Sequence, residues 1–370
     1  MAKTVVLEIA GMRVRAGIEN YLMNLLRELN HEEIQVDFLY SADKEGPYDK
    51  EIMAYGGRIF RVPPLGVGIK KMYRHFKAVE RVLREHPEIK VVHIHGNTAI
   101  SCVDARVAKK MKIPRIIIHS HSNDCDGMRG RILHLLCRVL VRGCSDVNLC
   151  CSEAAGKWMF GNNGRFFVAP NAILLQKYRF DMTIAEQIRS ANDWDGCKVI
   201  GHIGRMTAPK NHKLIIDLFN KIYEQHPETR LFLIGDGELR GQIQEQVEKY
   251  NLSSKVTIIS QTDQVEKYLM AMDLFLFPSI WEGLGIVLVE AQASGLPCLV
   301  SDAICKEVRV TDLVNVCELT APVDAWSKLA WEILDGTRTR CSDEYIDILR
   351  EQGYDSYVAA ESMAQNWYTI

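Results

Sequence analysis

The sequence predicts an α/β protein built from two doubly wound, mostly parallel sheets, one in each half of the chain. Three observations carry this. The 370 residues exceed what a single core usually supports. Short apolar strands alternate with helical patterns, the signature of a parallel sheet wrapped by helices. The alternation then stops over a seam near residues 170–197, which holds Pro170-Asn171 and the polar stretch from Ser190 to Gly196, and starts again. The expected division is 1–172 and 173–353, with a last helix at about 354–370 returning to complete the first half.

The first half opens on a strand at Val5–Ala10, followed by a loop from Gly11 to Gly17 that contains Arg13 and Arg15. A helix runs from Ile18 to about Asn30, because Tyr21, Leu22, Leu25, Leu26 and Leu29 fall on one face. Strands follow at Val36–Tyr40 and Arg58–Val62, the second ended by the Pro63–Gly66 turn. A basic helix covers Ile69–His86. Strands at Val91–His95 and Ile116–His119 flank a helix around Ala99–Lys112. Val147–Cys151, a helix at Glu153–Phe160 and a strand at Phe166–Val168 close the half.

The second half repeats the plan. Val199–Ile203 is a strand, and the loop Gly204 to Asn211 leads into a helix that reaches Gln225. Leu231–Ile234, the turn Gly235-Asp236-Gly237 and a helix to Tyr250 come next. Val256–Ile259, Phe275–Phe277 and Pro297–Val300 are further strands, and Tyr357–Thr369 reads as the final helix.

Composition narrows the class. With 47% hydrophobic and 25% charged residues, the chain is an ordinary globular protein. No apolar run approaches the roughly 18 residues a membrane helix needs, and Glu8 interrupts the first run too early for a signal peptide. Eleven cysteines without C-x-x-C pairs point to free, mostly buried thiols in a reducing, cytoplasmic compartment. Residues 1–172 carry 26 Lys and Arg against 18 Asp and Glu, while the remainder carries 19 against 29. The basic excess gathers in Arg58–Arg84 and Arg106–Arg142. Such an excess suits nucleic acid or an anionic membrane surface, against the plainer reading of solvated helix faces.

The chemistry concentrates in residues 275–302. Pro278 and Ser279 stop the strand, and Gly283 and Gly285 bracket Leu284 where the backbone bends sharply. Ile286–Ala293 is a helix ended by Gly295 and Pro297. Its first N–H groups follow directly on two glycines, an arrangement that suits a phosphate. Glu282 and Glu290 flank the turn, with seven residues between them. Arg205 and Lys210 follow the first strand of this half, so both loops belong at the carboxyl edge of one sheet. A guanidinium, an ammonium and a helix N-terminus together match a diphosphate and need no divalent metal.

These residues resemble a known family. Pro278-Ser-x-x-Glu282-Gly-x-Gly with Glu290 and Ser301-Asp302 is similar to the E-x7-E motif of retaining family-4 glycosyltransferases. Gly204-Arg205…Lys210-Asn211, Gly17-Ile18-Glu19, Gly235-Asp236-Gly237 and Pro170-Asn171-Ala172 match its other elements in order. Cys151-Ser152…Gly156-Lys-Trp158…Phe160-Gly161 and His119-Ser-His121 resemble the branch that builds capsular and exopolysaccharides. The resemblance implies the GT-B fold, two facing Rossmann-like domains, and retaining transfer of a hexose or N-acetylhexosamine from a nucleotide diphosphate sugar. A UDP-sugar is the expected donor, used as co-substrate with no further cofactor and no metal. The expected acceptor is a saccharide, polyprenyl-linked.

Roles follow from the same resemblance. Arg205 and Lys210 bind the diphosphate, helped by the N–H groups of Gly283, Leu284, Gly285 and Ile286. Glu290 accepts from ribose hydroxyls, and Glu282 holds hydroxyls of the transferred sugar. The loop ending at Gly17 closes over the phosphates. His121 stands near the anomeric centre, preferred over His119, and Trp281 is read as packing. The chain departs from the family at Leu174-Leu175, where an acid is usual, and at Ser260-Gln261, where a glycine is common.

Rival readings are weaker. Asp124-Cys-Asp126 and Asp193-Trp-Asp195 match D-x-D, but neither pair directly follows a convincing apolar strand. Gly235-x-Gly237 with Gly241 has the wrong spacing for a dinucleotide fingerprint. A retaining glycosidase needs carboxyls about 5–5.5 Å apart, whereas eight residues of helix span about 12 Å. A GT-B sugar-nucleotide epimerase and an inactive nucleotide-binding scaffold remain as alternatives. Nucleic acid is not an expected partner; peripheral contact with the inner face of an anionic membrane is.

Overall fold

The computed structural model describes residues 3–12, 17–41, 45–65, 68–123, 125, 127–336 and 340–369. Arg13, Arg15, Gly66, Asp124 and Asp126 lie outside the described residues. The chain divides into two compact units, residues 1–174 with 353–370, and residues 175–352.

In chain order the first unit holds β1 (Thr4–Ile9), α1 (Gly17–Glu28), β2 (Ile34–Tyr40), α2 (Asp49–Ala54), β3 (Ile59–Arg61) and α3 (Ile69–Glu85). It continues with β4 (Ile89–Gly96), α4 (Cys102–Lys110), β5 (Arg115–Ser120), α5 (Gly127–Val141), β6 (Val147–Cys150), α6 (Glu153–Phe160) and β7 (Phe167–Val168). The second unit holds α7 (Met182–Ala191), β8 (Lys198–Ile203), α8 (His212–Gln225), β9 (Thr229–Ile234), α9 (Arg240–Lys249), β10 (Val256–Ile259) and α10 (Val265–Ala271). Then come β11 (Leu274–Phe277), α11 (Ile286–Ala293), β12 (Cys298–Ser301), β13 (Val314–Cys317), α12 (Val323–Asp335) and α13 (Asp343–Glu351), before α14 (Ser356–Ser362) rejoins the first unit.

Each sheet is parallel throughout its paired strands. The orders are β3-β2-β1-β4-β5-β6-β7 and β10-β9-β8-β11-β12-β13. In both, the strand order reverses beside the first strand, and ligands of open α/β sheets bind at the carboxyl ends there. Strand alternation sorts β1 between two layers. Val5, Leu7 and Ile9 pack with Val79, Val82 and Leu83 of α3 and Ala105 of α4. Val6 packs with Tyr21, Leu22 and Leu25 of α1 and with Ala360, Met363 and Tyr368 of the C-terminal segment. In the second unit, α8 buries Ile215, Ile216, Phe219 and Ile222 at helical spacing against Ile200, Leu233 and Leu274.

Several elements were not foreseen. The polar stretch 190–196 is no linker, since it ends α7 and leads into β8. The expected final helix becomes α14 and then a π-helical turn over Met363–Tyr368. No element was expected between His121 and Val147, yet α5 occupies most of it. None of the eleven cysteines is in a disulfide, and of them only Cys341 is exposed.

Candidate functional site

In the second unit the switch point lies between β8 and β11, and the loops after these strands are stapled together. Ile280 N donates to Pro209 O at 2.7 Å, and Asn211 Nδ2 donates to Pro278 O at 3.2 Å. Asn211 sits at φ +56°, the left-handed region asparagine tolerates, and so ends the short 3₁₀ turn Ala208–Lys210 and starts α8. The Gly235-Asp236-Gly237 turn supports the loop from below. A Cβ at Gly235 would lie 1.9 Å from Gly204 O, and one at Gly237 would lie 2.5 Å from Met206 O. Only glycine allows that approach.

This scaffold sets Lys210 across the gap. Its Nζ donates to Glu282 Oε1 at 2.5 Å and lies 5.0 Å from the Phe277 ring centre. The pair is largely shielded, with side-chain exposures of 17% and 10%. Beneath it, burial holds His202 well below its ordinary range and His212 at about 4, so both rings are neutral beside the lysine. Arg205 is exposed and makes no side-chain hydrogen bond among the described residues.

Gly285 adopts φ +78° and opens α11 without a side-chain cap. Gly283 and Ile286 are partly exposed, whereas Leu284 is buried. The helix start therefore presents backbone, as a phosphate or a sugar oxygen requires. Trp281 does not pack inside the unit: it is 41% exposed, beside Ile280 at 54%.

Glu290 stands one turn into α11, half-buried. Burial pushes its carboxyl up to about 6, against a hydrogen bond from the Tyr178 hydroxyl and the charge of Lys177. Gln292 fixes the helix: its Nε2 donates to Leu288 O and Val308 O, and its Oε1 accepts from the backbone N–H groups of Val310 and Thr311. Sequence reading missed both Tyr178 and Gln292. Tyr178 lies in a segment with no motif, and only the fold brings it to α11; Gln292 lies in α11 itself, but its partners Val308, Val310 and Thr311 come from the loop after β12.

The first unit carries a second polar constellation. Residues of one parity in β1, β4 and β5 face one side, which gathers Glu8, His93, His95 and His119 on adjacent strands, with Glu8 opposite His93 and His95 opposite His119. His121 follows β5. His95 Nε2 lies 2.7 Å from Glu8 Oε2, and His95 Nδ1 lies 2.8 Å from His121 Nε2. Asn171 Oδ1 lies 2.8 Å from His121 Nδ1, and the Tyr368 hydroxyl donates to Glu8 Oε1 at 2.6 Å. Burial alone would raise the Glu8 carboxyl, but the charge and hydrogen bonds of His93 and His95 outweigh it and hold it below its ordinary range. Burial, reinforced by His93, lowers His95 to about 4 and, reinforced by His95, takes His121 well down.

His95 Nε2–H donates to the Glu8 carboxylate, and His121 is held through both ring nitrogens, Nε2 against His95 Nδ1 and Nδ1 against Asn171 Oδ1. Both ring nitrogens of His121 are therefore engaged, and the residue is buried. His119, the rival, is fully buried with neither ring nitrogen bonded. Nitrogens of His93, His95 and His119 come within 4.8 Å of one another. Closing them to zinc's Zn–N distance of about 2.0–2.1 Å would take His95 from Glu8 or His121. The alternation His93-x-His95 with His119-x-His121 was the signal that could have revealed this cluster.

Lys210, Glu282, the Gly283–Ile286 turn and Glu290 thus belong to one sheet edge of the second unit. Gly17 starts α1, and it and His121 belong to the first. Two Rossmann-like units, one with a lysine and carboxylates around a helix N-terminus, define a GT-B protein able to hold a phosphorylated sugar.

Comparison with known proteins agrees. Residues 15–177 match the family described as Glycosyltransferase Family 4, and residues 184–336 match Glycosyl transferases group 1. The chain is 30% identical over 364 residues, 96% of its length and 93% of the relative's, to EpsF of Bacillus subtilis (strain 168), whose name ascribes glycosyltransferase activity to it. It is 21% identical to the UDP-Gal:alpha-D-GlcNAc-diphosphoundecaprenol alpha-1,3-galactosyltransferase of Escherichia coli, covering 79% of this chain and 77% of that one. Anabaena Alr3699/HepE in complex with UDP and glucose superposes with a TM-score of 0.80 at 15% identity, covering 98% of each chain. The chain belongs to the family-4 glycosyltransferases and is a transferase.

Proposed function

We propose that the protein transfers a hexosyl or N-acetylhexosaminyl group from a UDP-sugar to a hydroxyl of a polyprenyl-linked saccharide, with retention, in capsular or exopolysaccharide synthesis. The carrying observation is the Lys210–Glu282 ion pair at the start of α11. Unliganded, each charge neutralises the other. An arriving diphosphate takes the ammonium, and Glu282 is released to accept hydroxyl protons of the sugar.

The C1–O bond to the diphosphate breaks as the acceptor oxygen approaches the same face. The departing diphosphate oxygen takes the acceptor's proton, and UDP leaves. Arg205, Lys210 and the N–H groups at Gly283–Ile286 stabilise the charge growing on that oxygen. Glu290 holds the ribose. His121, its ring bonded to His95 and Asn171, acts by shape and backbone position. The UDP and sugar in the HepE complex and the diphosphoundecaprenol acceptor in the Escherichia coli relative's name support this reading by analogy. The reaction belongs on the cytoplasmic side, where nucleotide sugars are made.

The test is turnover of UDP-sugars with a lipid-linked acceptor. Lys210→Ala lowers the rate by about 10²-fold or more, the scale of a lost transition-state charge partner, and EDTA leaves it unchanged. Near wild-type turnover in Lys210→Ala, or a strict manganese requirement, would overturn the assignment. Interconversion of free UDP-sugars without transfer would favour the epimerase.

A further inference from the structure

The outer face of α5 is apolar. Met128, Ile132, Leu135, Leu136, Val139 and Leu140 are 78%, 53%, 51%, 67%, 72% and 41% exposed. At helical spacing they form one continuous stripe. The opposite face is what binds the helix to its unit. His134 is fully buried: its Nδ1 accepts from Ala99 N at 3.1 Å, its Nε2 meets Trp158 O at 3.0 Å, and its ring stacks on Trp158 with centres 3.8 Å apart. Cys137 and Val141 join the core on the same side. The stripe is therefore not a core face awaiting a slight rotation.

Six large apolar side chains on one exposed helix face are far more than scattered surface residues, and such patches mark interaction sites. The charge around the stripe selects the partner. Between Gly127 and Arg142 the sequence has four arginines and no Asp or Glu. Arg131 and Arg138 fall along one edge of the stripe, and Arg142 follows its end. Arg106 and Lys109 of neighbouring α4 are exposed as well, Lys109 bonded to Gly143 O at 2.6 Å. An apolar strip bordered by guanidinium groups matches a bilayer surface, where the chains enter the headgroup boundary and the arginines reach phosphates. Basic α3 matches it less well, because its Lys77 and Arg84 pair with its own Glu80, which Lys110 of α4 also binds.

We propose that α5 is a membrane anchor that lies in the surface of a bilayer containing anionic lipid, inserting the 128–140 stripe. This rests on, and deepens, the reading that the acceptor is lipid-linked. Insertion rather than charge alone holds the protein there, so high salt weakens binding without abolishing it.

The experiment is flotation of the full chain with vesicles of phosphatidylcholine alone and with vesicles containing a quarter phosphatidylglycerol. Wild type floats with the second and poorly with the first. Leu136→Glu/Val139→Glu, at exposed positions that leave the fold intact, lowers the vesicle-bound fraction about tenfold or more, while hydrolysis of UDP-sugar to UDP stays at wild-type rate. Arg138→Ser/Arg142→Ser loses the preference for anionic vesicles. The proposal is overturned if wild type stays down with both vesicles, or if Leu136→Glu/Val139→Glu floats undiminished. It is overturned too if wild type is a dimer that the double substitution makes monomeric, since a second copy would then cover the stripe. Flotation without UDP-sugar turnover would keep the anchor and sink the transferase substrate reading; turnover without flotation would do the reverse.

Discussion

Glu290 makes function and stability pull in opposite directions. Its ordinary carboxyl value of 4.5 is raised to about 6 by burial in the folded protein, which corresponds to about 2 kcal/mol at roughly 1.4 kcal/mol per unit. Glu290 keeps part of its surface in solvent, so screening brings this to about 1 kcal/mol. The sign follows from linkage. Between 4.5 and 6 the folded state binds more protons than the unfolded one, so stability falls as pH rises through that window, and the deficit is complete above it. Glu290→Gln removes the charge but keeps an oxygen for the Tyr178 hydroxyl. At pH 7.5 it should melt about 2–4 °C higher than wild type in a unit of this size, and at pH 4.5 the two should coincide. Binding should move the other way. A carboxylate that accepts from two ribose hydroxyls contributes about 1.5–3 kcal/mol per charged hydrogen bond, so UDP binding should weaken about tenfold or more. Wild-type affinity should also decline as pH falls through about 6. Calorimetric titration with UDP and thermal unfolding at the two pH values decide it. A Glu290→Gln protein that melts no higher at pH 7.5, or gains equally at both, would refute the burial argument; unchanged UDP affinity would refute the ribose role.

Two further perturbations separate the units. Glu282→Gln frees Lys210 from its 2.5 Å partner and removes a carboxylate that repels phosphate, so UDP alone should bind more tightly while turnover falls; weaker UDP binding would mean that Glu282 positions the lysine instead. Tyr368→Phe deletes the hydroxyl that donates to Glu8 at 2.6 Å and lies 3.0 Å from His93 Nδ1. It should cost about 1–3 kcal/mol in urea unfolding at pH 7. Because Glu8 is held ionised well below its ordinary range, the deficit should persist unchanged through pH 4.5 and shrink only at more acid pH; a deficit already gone at pH 4.5 would show that the folded protein does not hold Glu8 ionised.

What could be read before the fold was known follows the range over which each signal acts. Strands of one buried parallel sheet announce themselves as apolar runs, so the Rossmann plan was legible from Val5 to Val300. The Glu282–Glu290 segment was legible because a turn and a helix N-terminus are made by neighbours in sequence. Lys210 could be placed at the same sheet edge, but not at 2.5 Å from Glu282. That contact depends on Asn211 and Pro209 binding the loop after β11, 67 and 71 residues away in sequence as the fold aligns them. The partners of His121 were illegible for a related reason, since His95 on β4 and Asn171 stand 26 and 50 residues away in sequence. Helix α5 failed for the opposite reason. Apolar residues on all sides blur the periodicity that separates a buried face from an exposed one. A helix moored through His134 with leucines outward does not fit the rule that apolar faces turn inward, and under the proposed insertion a second apolar phase, the lipid surface, supplies the environment that rule assumes.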